Sequence, residues 1–208
     1  MQRSLCLMPL GGSVTYGTGS SNGNGYREWL RDMLVADGFS IKMVGSRTAG
    51  TMSNNHNEGW RGFRIDQIYQ KAQKSIPVFR PRVFTINAGS NDCIQGFEIG
   101  SIGKRMGDML ECIWDASPGS TIILSTLLVT SDVSAEARVT EANAQYLYLA
   151  RRKANDGKRI VLVDMHAAAG PSCDDLVDGI HPNDSGYRKM ALLWRKGIHE
   201  AASKGLFL

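Results

Sequence analysis

Three short stretches carry side chains whose types and spacing suit acyl transfer. Gly11-Gly12-Ser13 puts a hydroxyl between small residues at the end of an apolar run. Gly89-Ser90-Asn91-Asp92 puts a carboxamide after another such run, and a side-chain amide there can face a developing oxyanion. Asp178-Gly179-Ile180-His181-Pro182 sets a carboxylate three residues before an imidazole. A turn over that span brings the carboxylate to Nδ1 of His181, fixing the tautomer whose Nε2 can take a proton from serine. Pro182 disfavours the αR region for His181, so the imidazole is expected to project from an extended segment. Each stretch also has a bland reading: Ser13 as a turn or cap serine, Asn91 as the start of an Asx-turn, and the Asp-His pair as a chance spacing.

Competing chemistries fit less well. His56, His166 and His199 lack a carboxylate at the Asp178 spacing. Cys93 adjoins the Asn91 loop, but no separate base-orienting pair accompanies it, so a thiol nucleophile is not expected. Gly11 to Gly17 is not GxGxxG, no GxxxxGK[ST] occurs, and Thr15 breaks a GxSxG elbow, which argues against nucleotide binding and the α/β-hydrolase type of serine loop.

These residues need a scaffold that brings distant loops to one place, and the hydrophobic pattern supplies it. Apolar runs at Leu5 to Leu10, Ile41 to Val44, Val83 to Asn87, Thr121 to Leu127 and Ile160 to Asp164 read as strands. Between and after them, helical spacing recurs near Tyr26 to Ala36, Ile65 to Lys74, Ile102 to Ala116, Ser134 to Ala154 and Asp184 to Ala201. Five strands alternating with helices predict an α/β fold, a three-layer α/β/α sandwich on a five-stranded parallel sheet, because right-handed crossovers put helices on both faces. Ligands of such sheets bind beyond the carboxyl ends of the strands, where Ser13 and Asn91 fall.

Composition narrows the rest. With 208 residues, 42% hydrophobic and 21% charged, the chain suits one ordinary domain with a substantial core, and excludes disordered and collagen-like classes. The net charge of +4 comes from scattered basic residues, so nucleic acid is not an expected partner. No run approaches the roughly 18 apolar residues of a membrane span, and the start MQRSLCLMPLGG lacks the pattern of a secretory leader. Cys6, Cys93, Cys112 and Cys173 are too dispersed for a disulfide framework or a zinc site; a Cys93 to Cys173 bridge is the one candidate pairing left open.

Taken together, the serine, asparagine and Asp-His stretches resemble the SGNH (GDSL-type) hydrolase superfamily, whose blocks centre on a serine, a glycine, an asparagine and a histidine in that order. Ser13, Gly62, Asn91 and His181 with Asp178 match those blocks, and the resemblance spans nearly the whole chain. Met8 to Ser13, Gly25-Tyr26-Arg27 and Gly62 to Ile68 are similar to carbohydrate esterase family 3, most of all to fungal acetyl xylan esterases. One departure stands out: the usual Gly-Asp-Ser reads Gly11-Gly12-Ser13, which removes a carboxylate beside the serine and leaves the bracing of that loop in question.

The resemblance implies a flavodoxin-like SGNH fold over residues 1–208 as one catalytic domain. It also implies a serine esterase that deacetylates carbohydrate, xylan or xylo-oligosaccharides foremost. Ser13, Asp178 and His181 would form the triad, and the Ser13 and Gly62 N–H groups with the Asn91 amide the oxyanion hole. Trp60 and Arg61 are candidate sugar contacts; Asn87 and Asp92 are expected to brace the asparagine loop. No cofactor or catalytic metal is called for, although Glu58, Asp66 and Asp92 could offer oxygens to a structural calcium. The expected partner is an acetylated polysaccharide or oligosaccharide, met outside the cell by a monomer whose leader lies outside this sequence. A lysophospholipase or short-chain lipid esterase, and a non-catalytic carbohydrate-binding protein, are the alternatives.

Overall fold

The computed structural model describes residues 3–207. The first strand, β1 (Arg3–Gly11), leads into a single helical turn, α1 (Ser13–Tyr16), and then α2 (Tyr26–Ala36). There follow β2 (Phe39–Met43), the short β3 (Arg47–Thr48) and β4 (His56–Gly59), and α3 (Ile65–Phe79). Next come β5 (Val83–Asn87), α4 (Ser90–Gln95), α5 (Ile102–Ala116) and β6 (Thr121–Ser125). The long α6 (Val133–Asn155), β7 (Ile160–Val163) and α7 (Asp184–Ser203) complete the order.

The five expected strands form the parallel sheet β2-β1-β5-β6-β7. Two further strands extend it. β4 pairs parallel with the end of β1 through Leu10 and Gly11, and β3 runs antiparallel to β4. On that side β1 thus has two successive neighbours, β2 along Arg3 to Leu7 and β4 from Leu10 onward. Pro9, which has no N–H to give to a ladder, falls in the gap between them.

Strand alternation divides the core in two. Met8, Leu10, Phe84, Ile86, Ile122 and Leu124 face α3, α5 and α6, while Leu7, Val83, Ile123, Val161 and Val163 face α2 and α7. The helices answer with apolar stripes: Tyr26, Leu30 and Leu34 on α2, and Tyr187, Met190, Trp194, Ile198 and Ala201 on α7 are buried at helical spacing. Every residue of β5 and β6 is buried, as strands covered on both faces require. Among the described residues no helix is long and apolar enough to cross a membrane.

Some elements escaped the hydrophobic pattern. The sequence His56-Asn57-Glu58-Gly59 of β4 has no apolar alternation, yet Asn57 and Glu58 are fully buried. Their polar atoms are satisfied locally: Glu58 accepts from Ser46 N–H, Ser46 Oγ and Trp60 Nε1 at 2.7–2.9 Å, and Asn57 Oδ1 accepts from Gly59 N–H at 2.9 Å. Helix α3 also runs on past Lys74, through Pro77 to Phe79, keeping Ile76 in the core. The four cysteines are free: Cys93 is buried and Cys173 exposed, so the bridge left open between them is not formed.

Candidate active site

The site begins in the register of the sheet. Gly11, the last residue of β1, stands beside both Asn87 at the end of β5 and Gly59 at the end of β4. Three loops therefore leave the sheet from one row: Gly12-Ser13, Trp60 to Gly62, and Ala88 to Asn91. The strands come so close there that a β-carbon on Gly11 would lie 2.0 Å from the Asn87 carbonyl oxygen, so only glycine fits. Beyond it the chain turns at once into α1, with Ser13 in its first position.

The imidazole arrives from the far end of the chain. Val177 N–H donates to His181 O at 2.9 Å and Asn183 N–H to Asp175 O at 2.7 Å, clamping Asp178-Gly179-Ile180 into the tip of a small hairpin. Gly179 takes a positive φ of 80° at that tip, and its carbonyl accepts from Ser131 N–H and Thr130 Oγ1, both at 2.9 Å, tying the hairpin to the loop after β6. Asn183 caps α7 by accepting from Gly186 N–H at 3.0 Å.

The result is a continuous hydrogen-bonded series. His181 Nε2 lies 2.8 Å from Ser13 Oγ, and Nδ1 lies 2.7 Å from Asp178 Oδ2. The other oxygen, Oδ1, accepts from the backbone N–H of His181 at 2.8 Å and of Ile180 at 3.1 Å. Burial works to raise the Asp178 pKa, but the hydrogen bonds from His181 outweigh it and hold the carboxyl below its ordinary value. Ser13, Arg61, Gly62, Asn91 and His181 line one cleft of about 640 Å³. Two recesses of about 10 Å³ adjoin it: one touches Ser13 and Asn91, and the other is walled by Val14, Ile94, Leu128 and Ile180.

Around the cleft the residues sort themselves. Gly62 holds a left-handed φ of 77°, and nothing lies within 4 Å of where its β-carbon would be, so its backbone faces open space. Asn91 Nδ2 gives one hydrogen to Phe63 O at 3.0 Å; an amide carries a second. A β-carbon at Gly12 would lie 3.6 Å from that nitrogen, the direction from which an aspartate would approach; Phe63 O supplies the acceptor here. Asn87 Nδ2 donates to Ser125 Oγ at 2.8 Å, and the buried Asp92 accepts from Ile65 N–H at 3.1 Å and pairs with Arg105. Those two side chains brace the loop. Arg105, on α5, had no local signal in the sequence to link it to Asp92.

Trp60 is not among the residues lining the cleft. Its indole stacks on Phe63 at 5.5 Å and donates to Glu58. Two of the other three histidines find carboxylates distant in sequence: His166 pairs with Glu136 at 2.6 Å and His199 with Asp37 at 2.7 Å. What distinguishes His181 is the serine on its other nitrogen. Burial, with the Asp92 charge beside it, pushes the Cys93 thiol up to about 12, far from a reactive thiolate at neutral pH. Glu58 and Asp92 are engaged as described and Asp66 lies 3.5 Å from Arg64. Among the described residues no three His, Cys, Asp or Glu side chains converge to hold a metal ion.

A hydroxyl, an imidazole and a carboxylate in series at the carboxyl edge of a parallel sheet make an arrangement able to activate serine for acyl transfer. The chain belongs to the GDSL-like lipase/acylhydrolase family, whose model matches residues 10–189, and with it to the carboxylic ester hydrolases. Among solved structures it is similar to a family 3 carbohydrate esterase of Clostridium thermocellum, at 25% identity and a TM-score of 0.86, covering 97% of this chain and 98% of that one. A carbohydrate esterase family 3 protein of Talaromyces cellulolyticus gives 22% identity and a TM-score of 0.83, covering 96% and 99%. A multidomain esterase of Ruminococcus flavefaciens is 27% identical over 94% of this chain, which spans 28% of that relative's length.

Proposed function

We propose that residues 1–208 act as one catalytic unit, a serine esterase that removes acetyl groups from acetylated carbohydrate. The observation that carries this reading is the Ser13–His181–Asp178 series at 2.8 and 2.7 Å, opening on a cleft shared with Gly62 and Asn91. Ser13 Oγ bonds to the ester carbonyl carbon while its proton passes to His181 Nε2, and Asp178 supports the imidazolium. The tetrahedral oxyanion is met by the Ser13 and Gly62 N–H groups and the Asn91 amide. His181 then gives that proton to the departing sugar oxygen, which leaves as a hydroxyl with the acetyl group kept on Ser13. His181 next takes a proton from water as its oxygen bonds to the acetyl carbon, and returns it to Ser13 Oγ as acetate leaves.

Acetyl is favoured over longer acyl groups by size, since the recess that touches Ser13 and Asn91 has room for about one water-sized group. Carbohydrate is favoured by the likeness to family 3 carbohydrate esterases, and xylan or its oligosaccharides are the first polymers to try. A polymer of that kind is met outside the cell, by the protein acting as a monomer.

The test compares acetate release from acetylated xylan with hydrolysis of an aryl acetate and a long-chain ester, for the parent and Ser13→Ala. Xylan and aryl-acetate turnover that both vanish in the variant is the expected result. Preference for the long-chain ester would move the reading to lipid hydrolysis, and an inert parent protein to carbohydrate binding.

A further inference from the structure

Three cations, Arg61 in the cleft and Arg47 and Lys71 on the aromatic rings of Tyr16 and Trp60 beside it, lack a carboxylate partner among the described residues. Arg61 lines the cleft together with Ser13, and its guanidinium carbon lies 5.8 Å from the centre of the Tyr16 ring. Arg47 lies 5.7 Å from that same ring and 4.7 Å from the ring of Trp60. Lys71 Nζ is 4.4 Å from the Trp60 ring. Among the described residues none of the three has a carboxylate oxygen within 4.0 Å, whereas the neighbouring Arg64 and Arg105 have Asp66 and Asp92. The one carboxylate of the strand beside them, Glu58, is fully buried and turned to Ser46 and Trp60.

An arginine resting on an aromatic ring is held in place with its N–H edges still available, and that planar fork matches a carboxylate. Two such forks share Tyr16, on the turn that begins with Ser13. We propose that Arg47 and Arg61 bind the carboxylate of a uronic acid unit, so that the preferred substrate is an acetylated polysaccharide bearing acidic sugars close to the acetyl ester. The proposal rests on the reading of this site as a carbohydrate deacetylase, and adds the charge of the substrate to it. Uronic carboxylates are the planar anions of acidic polysaccharides; sulfate and phosphate esters share the charge and are set apart by the test.

The experiment measures kcat/KM for matched acetylated oligosaccharides, one neutral, one with a single uronic acid unit and one with a sulfate at that unit. The parent, Arg47→Gln, Arg61→Gln, the double variant and Arg61→Lys are compared, with thermal midpoints as a check on folding. The acidic substrate should be preferred by about tenfold, equivalent to about 1.4 kcal/mol, through a lower KM. That ratio should fall toward one in the double variant and in about 1 M salt, where the screening length is about 3 Å, and be partly kept by lysine. A ratio of one in the parent, or one that survives the double substitution, would overturn the proposal. An equal preference for the sulfated sugar would overturn its carboxylate assignment. Turnover of an aryl acetate with no oligosaccharide deacetylated would sink the carbohydrate reading and this proposal together, an outcome distinct from the first.

Discussion

Ser13, His181 and Asp178 divide the labour by what each side chain can hold. The carboxylate of Asp178 takes the imidazole on one oxygen and two backbone N–H groups on the other, so the hairpin tip and the ring are fixed by the same group. With its pKa held down, it stays charged at neutral pH and can support an imidazolium. Asn91 is positioned in a comparable way, because the hydrogen it gives to Phe63 O orients the amide and leaves its other hydrogen for an oxyanion. Asn91→Ala should therefore lower kcat about 100 to 1,000-fold with little change in circular dichroism. An unchanged kcat would remove Asn91 from the chemistry.

At the scale of elements, the hairpin before α7 decides where the imidazole stands, and Asp175 anchors it. Its side chain accepts from Ser172 N–H at 2.8 Å, Ser172 Oγ at 2.9 Å and Lys189 Nζ at 2.6 Å, while its carbonyl accepts from Asn183 N–H. Burial would raise the Asp175 pKa, but the Lys189 ammonium and the Ser172 donors outweigh it and hold the carboxyl at about 2. A depressed carboxylate stabilises the fold above its unfolded value of about 3.9, and that contribution is lost as pH falls through the folded value. Asp175→Asn should accordingly lower the thermal midpoint at pH 7, and the gap to the parent should close between about pH 4 and pH 2. A gap that persists at pH 2 would assign the role of Asp175 to something other than its charge.

For the molecule as a whole, the site depends on a core that spans both faces of the sheet. Helix α7 follows directly from the His181 hairpin and buries Trp194 completely, with the Tyr26 ring 5.7 Å away. Close contact there joins the last helix to α2 and to the sheet. Trp194→Ala should cost about 3–5 kcal/mol in denaturant unfolding, the range for a large buried aromatic, because the surroundings can collapse only in part. Esterase activity should be lost along the same curve as the fold; activity lost well before unfolding would mean that the hairpin detaches on its own.

Much of this was legible in the chain itself. The five parallel strands and the five long helices follow from local pattern, since burial on both faces of a sheet leaves an apolar run, while the order of serine, glycine, asparagine and histidine was legible through its resemblance to the SGNH blocks. The Asp178–His181 contact was legible for a similar reason: three residues of spacing and a turn suffice to close it. The Ser13–His181 contact joins residues 168 positions apart and exists only because the strands leave from one row and the hairpin is tied to the loop after β6. Strand β4, the Asp92–Arg105 pair, the packing of Trp60 against Phe63 and the core, and Arg47 and Arg61 without a carboxylate partner among the described residues were settled in the same way. Their polar side chains carry no periodic signal, and their partners are chosen by tertiary proximity. Local sequence specifies which groups are present and on which elements they ride; packing and charge in three dimensions decide which of them meet.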